Sequence, residues 1–173
     1  MAKPADYSAI ERLRDGTTVE IRALRPDDQS DMLAAINRTS PQSLQRRFFV
    51  PKRGLSEKEV SFFMNVDFTN HVALVAQIEE EGQSVISGGG RYIVVQPGQA
   101  ELAFVVVDTY QGKGIGTALM RHLLAIARDA GLKELTAEVL RENAAMLRVF
   151  SRFGFHARSG GDPQVRHLVL RLS

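Results

Sequence analysis

The sequence predicts a mixed-sheet α/β domain, and three observations predict it. Apolar or alternating extended runs recur at residues 17–24, 71–78, 85–95, 99–107, 132–140, 155–158 and 165–170. Segments of helical periodicity with recognisable caps lie between them. The resulting order is strand, helices, three strands, helix, strand, helix, two strands, which mixes local hairpins with a strand–helix–strand crossover.

Each element has a local cause. Residues 1–10 read as a loose arm. Asp15-Gly16 is a turn dipeptide between extended flanks, so residues 13–22 predict a hairpin. The chain then divides into an N-terminal arm and hairpin, 1–16, and a domain over 17–173. Pro26-Asp27-Asp28 opens a helix, because proline suits the first turn and carboxylates suit its positive end. Met32, Leu33 and Ile36 are its expected apolar face. Ser40-Pro41 starts a second short helix carrying Leu44, Phe48 and Phe49. Ser56 and Glu59 have capping-box spacing ahead of a third, which buries Val60, Phe63 and Met64. Phe48, Phe49, Phe62 and Phe63 are expected in the core.

Gly88-Gly89-Gly90 interrupts the strand at 85–95 and predicts a bulge or the close approach of another backbone. The helix after residue 114 carries Ile115, Leu119, Leu123, Ile126 and Ala130 on one face and stops at Gly131. Asn143 is placed to cap a last helix that buries Met146, Leu147 and Phe150 and ends at Gly154. Two final strands surround a turn at residues 160–163.

Composition narrows the function classes. The 173 residues suit one well-filled core, and the formal charge is only +2 with the basic residues scattered. A nucleic-acid footprint is missing, so no nucleic-acid partner is expected. The absence of cysteine excludes disulfides, thiolate metal sites and a cysteine nucleophile. Charged residues occupy the position of a signal peptide's apolar run, and no apolar segment approaches about 18 residues. A cytoplasmic protein with no membrane association is the expectation. His122, His156 and His167 have no companions at ligand spacing, so no metal is expected.

The stretch with chemical content is LAFVVVDTYQGKGIGTALM, from residue 102 to 120. A buried strand runs into a turn with Gly112, Gly114 and Gly116 at alternate positions, and a helix follows. Strand, glycine-rich turn and helix N-terminus present backbone N–H groups to an anion. The spacing is neither a Walker A loop nor a dinucleotide fingerprint. The glycines serve either a phosphate cradle or a tight turn alone.

Gln111-Gly112-Lys113-Gly114-Ile115-Gly116 is similar to the Gln/Arg-x-x-Gly-x-Gly/Ala acetyl-CoA signature of the GNAT superfamily of N-acetyltransferases. The run from Asn143 to Phe150, followed by Phe153-Gly154-Phe155, resembles the C-terminal element of that superfamily. The chain resembles most closely the acetyltransferase domain of Pat-type bacterial protein lysine acetyltransferases, through Asp15-Gly16, Ile21-Arg22, Arg47-Phe48-Phe49, Ala100-Glu101-Leu102-Ala103-Phe104 and Tyr110-Gln111-Gly112-Lys113-Gly114. The resemblance implies a GNAT-like fold with a mixed, mostly antiparallel sheet of about six to seven strands flanked by helices. It implies acetyl-CoA as co-substrate and a primary amine, a protein lysine or a small molecule, as acceptor.

The resemblance also assigns roles. The pyrophosphate is held by Gln111, Gly112, Lys113, Gly114, Ile115, Gly116 and Thr117. Backbone groups of Val105, Val106 and Val107 pair with the pantetheine arm and supply an oxyanion contact. Asn143 touches the same arm. An amine attacking a thioester must lose its proton, and Glu101, opening an otherwise apolar strand, matches the base of the Pat-like proteins. Glu138 is the runner-up, and His71 reads as a structural histidine. Phe150 stands where many family members carry a tyrosine acid, and Tyr110 is no residue-for-residue substitute, so water or no acid serves the leaving thiolate. The other readings are a small-amine acetyltransferase and a non-catalytic coenzyme A sensor. Oligomeric state is expected to be monomer or homodimer.

Overall fold

Asp15 and Gly16 turn the chain as their residue types require. Asp15 Oδ1 accepts the Thr17 N–H at 2.9 Å, and Gly16 sits at φ 90°, where a Cβ is costly. The turn joins β1 (Ser8–Arg12) to β2 (Thr18–Ala23). These coordinates come from a computed structural model that describes residues 6–37, 58, 61, 64–159 and 163–172. From Ser8 onward the expected loose arm is instead an edge strand, in register from Ser8↔Arg22 to Arg12↔Thr18. Its apolar signal was weak because Ile10 points to solvent, 67% exposed. The ladder to β2 and the hydrogen bonds of Glu11 to Arg121 and His122, and not a buried face, hold it.

A 3-10 turn at Pro26–Asp28 leads into α1 (Gln29–Asn37). The turn is organised by charge. Arg22 donates two hydrogen bonds to the Asp28 carboxylate at 2.8 and 2.9 Å, and Asp28 also accepts the Arg25 N–H at 2.7 Å. Burial pushes the Asp28 pKa up, but the Arg22 and Arg25 hydrogen bonds outweigh it and hold it below the usual range. In α1, Met32 and Ala35 are buried and Leu33 is half-buried. The helix expected from Ser40, the Ser56–Glu59 cap, and Phe48, Phe49, Val60, Phe62 and Phe63 lie outside the described residues. Met64 packs half-buried against the core.

The remaining strands are β3 (His71–Glu80), β4 (Gln83–Gln96), β5 (Gln99–Val106), β6 (Glu134–Leu140), β7 (His156–Arg158) and β8 (Val165–Arg171). Together with the first hairpin they form one eight-stranded sheet in the order β1-β2-β3-β4-β5-β6-β8-β7. The sheet exceeds the expected six to seven strands because β1 joins it. Among the described strands only β5 and β6 pair in parallel, and α2 (Ile115–Asp129) is the crossover that parallel pairing requires. α3 (Ala144–Arg152) follows β6. In α2 the buried stripe is wider than the periodicity suggested, including Ala118, Met120, Leu124 and Ala127, whereas Ala130 is exposed at the helix end.

The three glycines of β4 do both things their positions predict. The register slips between Ala76↔Gly88 and Gln77↔Ile86, leaving Ser87 as the extra residue of a bulge. A Cβ at Gly88 would lie 2.8 Å from the Val105 carbonyl oxygen, and one at Gly89 would lie 3.3 Å from that of Leu74. On the α2 face, a Cβ at Gly90 would meet the Phe104 ring at 2.7 Å and Leu123 at 2.9 Å. Gly90→Ala is therefore expected to cost about 1–3 kcal/mol by overpacking, read as a lower urea midpoint at unchanged m-value. Gly89 faces the other way, toward Met32 of α1. The two helices thus mark opposite faces of the sheet.

Candidate active site

The site begins where the sheet comes apart. β5 and β6 pair only from Gln99↔Glu134 to Leu102↔Ala137. Beyond that point β5 stays with β4 as far as Val106↔Gly88, while β6 stays with β8 as far as Leu140↔Val165. Residues 103–106 and 138–140 therefore border a notch in which neither strand has the other as partner. Such an opening has the backbone groups to accept an extended chain as an added strand.

The notch runs up to the glycine turn. Val107 N–H donates to the Ser87 carbonyl at 2.9 Å, and Gln111 Nε2 donates to the Val106 carbonyl at 3.1 Å, fixing where the loop leaves β5. Gly112 and Gly114 have φ 80° and 95°, so both need glycine for backbone reasons. Gly114 is the N-cap of α2 and offers no side-chain cap. The first N–H groups of a 15-residue helix thus point out of the protein at a turn built to expose them.

A groove of about 250 Å³ opens over this helix end. Val106, residues 111–117 and Asn143 line it, with Met146 and Val149 from α3. Val105 and Val107 are buried and do not line it. Among the described residues the lining includes Arg14, Lys113, Arg148 and Arg152 but no carboxylate, so the charge of the groove as well as its backbone suits an anion. Sequence reading had missed Arg14, Arg148 and Arg152. The four-residue spacing of Arg148 and Arg152 places them on one face of α3 and was a usable signal. Arg14 arrives through the hairpin fold, for which local sequence carries none.

Lys113 is ion-paired with Asp15 at 3.0 Å, and both are partly exposed. Hydrogen bonds from Thr17, with Lys113 beside them, hold the Asp15 carboxyl well below the usual range. Asn143 Oδ1 accepts the Met146 N–H at 3.2 Å, which makes it the N-cap of α3 as well as a wall of the groove. Asn143→Ala should lower stability by about 1 kcal/mol, visible in thermal unfolding.

Glu101 lies apart from the groove, on β5 opposite Ile93 and Thr136. Five residues of extended strand, about 17 Å, separate it from Val106. It is half-buried, and its Oε1 is shut off from water. Residue alternation puts Glu101 on the α1 face, whereas Phe104 and Val106 face α2 and α3. The notch lies between the two. Glu138 also borders the notch, with its carboxylate 3.5 Å from His167 Nδ1. Phe150 is fully buried, edge-on to Phe104 at 5.6 Å and to Phe155 at 4.8 Å, so it belongs to the core. Tyr110 is buried beneath the groove.

The histidines have structural surroundings. His71 Nε2 is 2.8 Å from Arg91, and burial first, then the Arg91 charge, push its pKa down to about 4. His122 bridges Tyr7 and Glu11, joining β1 to the outer side of α2. His156 is exposed.

Residues 39–155 match the family described as Acetyltransferase (GNAT) family. An acetyltransferase of Pseudomonas aeruginosa is 34% identical over 154 residues, 88% of this chain and 83% of that protein. Acetyltransferase Pat of Mycolicibacterium smegmatis is 32% identical over 150 residues, which are 83% of this chain but only 43% of that longer protein. The crystal structure of the GNAT domain of S. lividans PAT superposes with a TM-score of 0.82 at 32% identity, covering 95% of this chain and 96% of that one. A putative acetyltransferase from Salmonella typhimurium, solved with acetyl-CoA, shares the fold at a TM-score of 0.66 and 20% identity, over 90% and 94% of the two chains. With a cationic groove at a bare helix end, a split sheet beside it and this family match, the chain belongs to the acetyltransferase (GNAT) family and is an acyltransferase.

Proposed function

We propose that this enzyme transfers an acetyl group from acetyl-CoA to a primary amine by direct attack, with Glu101 as general base and a protein lysine as the acceptor. The observation that carries the reading is the notch between residues 103–106 and 138–140, which leads from the cationic groove toward the face bearing Glu101. The donor supplies a thioester, an activated acetyl group. The residues proposed to hold it are Gln111, Gly112, Lys113, Gly114, Ile115, Gly116 and Thr117 at the pyrophosphate, joined by Arg14, Arg148 and Arg152. Backbone groups of Val105, Val106 and Val107 line the arm, and one N–H there steadies the developing oxyanion. Asn143 fixes the start of α3 beside it. Glu101 takes the proton from the attacking amine. No side-chain acid is assigned, because Phe150 is core and a thiol with a pKa of about 8.5 is a tolerable leaving group. The acceptor class rests on the Pat-type resemblance.

The test is transfer of labelled acetyl from acetyl-CoA to peptidyl lysine, free lysine and polyamines. Transfer to peptidyl lysine is expected. Transfer confined to small amines would replace the acceptor while keeping the donor reading. Arg148→Ala with Arg152→Ala should weaken acetyl-CoA binding about tenfold and flatten its salt dependence in calorimetry.

A further inference from the structure

The groove over the start of α2 carries more positive charge than a pyrophosphate calls for. Arg14, Lys113, Arg148 and Arg152 line it. Lys113 is already matched by Asp15 at 3.0 Å. The three arginines take part in no ion pair among the described residues. The bare end of α2 adds about half a unit of positive charge to theirs. A bridging pyrophosphate carries about one negative charge on each phosphate, so it leaves cations over.

The cations also stand on different walls. Arg14 belongs to the glycine turn. Leu13 before it would stand 4.0 Å from a Cβ at Gly114, and Asp15 after it holds Lys113. The Leu13 N–H donates to the Thr17 carbonyl at 2.8 Å, and the Gly16 N–H donates to the Leu13 carbonyl at 3.0 Å, which fixes the backbone around Arg14. Arg148 and Arg152 stand on α3 instead. That helix meets the glycine turn through Met146 and Val149, whose methyl groups would lie 3.6 and 3.8 Å from a Cβ at Gly116. Arg148 is level with this contact, and Arg152 lies one turn, about 6 Å, farther along the same face. Both are exposed, α3 has no acidic residue, and Glu142 ahead of it does not line the groove. Two guanidiniums one turn apart on an acid-free face suit a terminal dianion that accepts from both. A phosphomonoester is such a group, with three acceptor oxygens and close to two charges at neutral pH. Coenzyme A carries one on its ribose 3′-oxygen, the width of a ribose from its pyrophosphate.

We infer that the groove holds two anion subsites with separate owners: Arg14 and the end of α2 take the pyrophosphate, while Arg148 and Arg152 take the 3′-phosphate and so select the 3′-phosphorylated donor. The inference rests on the reading of the groove as the acetyl-CoA site, and its test separates the two. Calorimetry compares acetyl-CoA with its 3′-dephospho analogue. The wild type should bind acetyl-CoA about tenfold more tightly than the analogue. Arg148→Ala with Arg152→Ala should erase that preference by weakening acetyl-CoA alone, the Kd of the analogue moving less than about twofold. Arg148→Lys with Arg152→Lys keeps the charge and should keep most of the preference. Arg14→Ala should weaken both ligands by the same factor and leave the preference intact. All three side chains are exposed, so each variant should unfold within about 2 °C of the wild type. Equal affinity of the wild type for the two ligands overturns the inference and leaves the donor reading standing. So does a preference that survives in the double alanine variant, or one that is lost in Arg14→Ala. Failure of the wild type to bind either ligand overturns the donor reading, and the inference with it.

Discussion

Glu101→Gln should lower kcat/KM for the amine acceptor by about 10²- to 10⁴-fold, the usual worth of a positioned general base. Glutamine keeps the size and the hydrogen-bonding reach of the side chain but accepts no proton at neutral pH. The half-buried setting of Glu101 on β5 is therefore preserved while its chemistry is removed. The acetyl-CoA Kd should change less than about twofold, because the groove residues lie about 17 Å along the strand. The loss should shrink as pH rises, since a growing share of the acceptor amine is then already neutral. Initial rates from pH 6 to 10 with a lysine peptide, alongside calorimetry with acetyl-CoA, check both points. A loss that appears wholly in donor affinity would move Glu101 out of the chemistry.

The second large effect concerns stability. Arg22 and Asp28 have side chains only 4% and 7% exposed, joined by two hydrogen bonds. Removing one partner leaves a buried charge without its counter-ion, which costs about 3–5 kcal/mol. Arg22→Met and Asp28→Asn should each lower Tm by about 6–20 °C in a domain of this size. Replacing both should recover part of that loss, because no lone charge then remains. The pH dependence carries its own sign. The folded Asp28 pKa lies below its ordinary value, so its contribution is complete above about pH 4 and is lost as pH falls further. Asp28→Asn should therefore flatten the stability curve below pH 4 and leave its shape above unchanged. Differential scanning calorimetry across pH 3–7 reads this directly.

Much of the fold was legible because local chemistry and tertiary packing agreed. Residues 71–78, 85–95 and 99–107 lie in β3, β4 and β5, give or take a few terminal residues. The glycine turn, the Asn143 cap and the Gly88–Gly90 crowding each follow from a residue type with few other uses. β1 was missed because it buries little and is held by its neighbours' backbone and by Glu11, His122 and Tyr7. Arg91 was missed for the opposite reason. One arginine in a strand reads as solvated, and only the fold shows that it is buried on the face of the sheet that bears α1, beside a histidine. The arginines of the groove come from two elements far apart in sequence, so their convergence was not local information either.

The break between β5 and β6 also has a mechanical consequence. Among the described residues, four β5–β6 pairs and the Lys133 and Glu134 N–H bonds to the Gly98 carbonyl couple the β1–β5 half of the sheet to the β6–β8 half through backbone hydrogen bonding. The seam is therefore the natural parting line of the molecule, and a donor lying in it, as proposed, would act as a zip across the two halves. Amide exchange at residues 103–106 and 138–140 should be fast relative to the rest of their strands and slow together when acetyl-CoA is added. At a hundredfold excess over Kd the donor should add about 2.7 kcal/mol to the whole domain. An enzyme built this way is most cohesive while it is loaded.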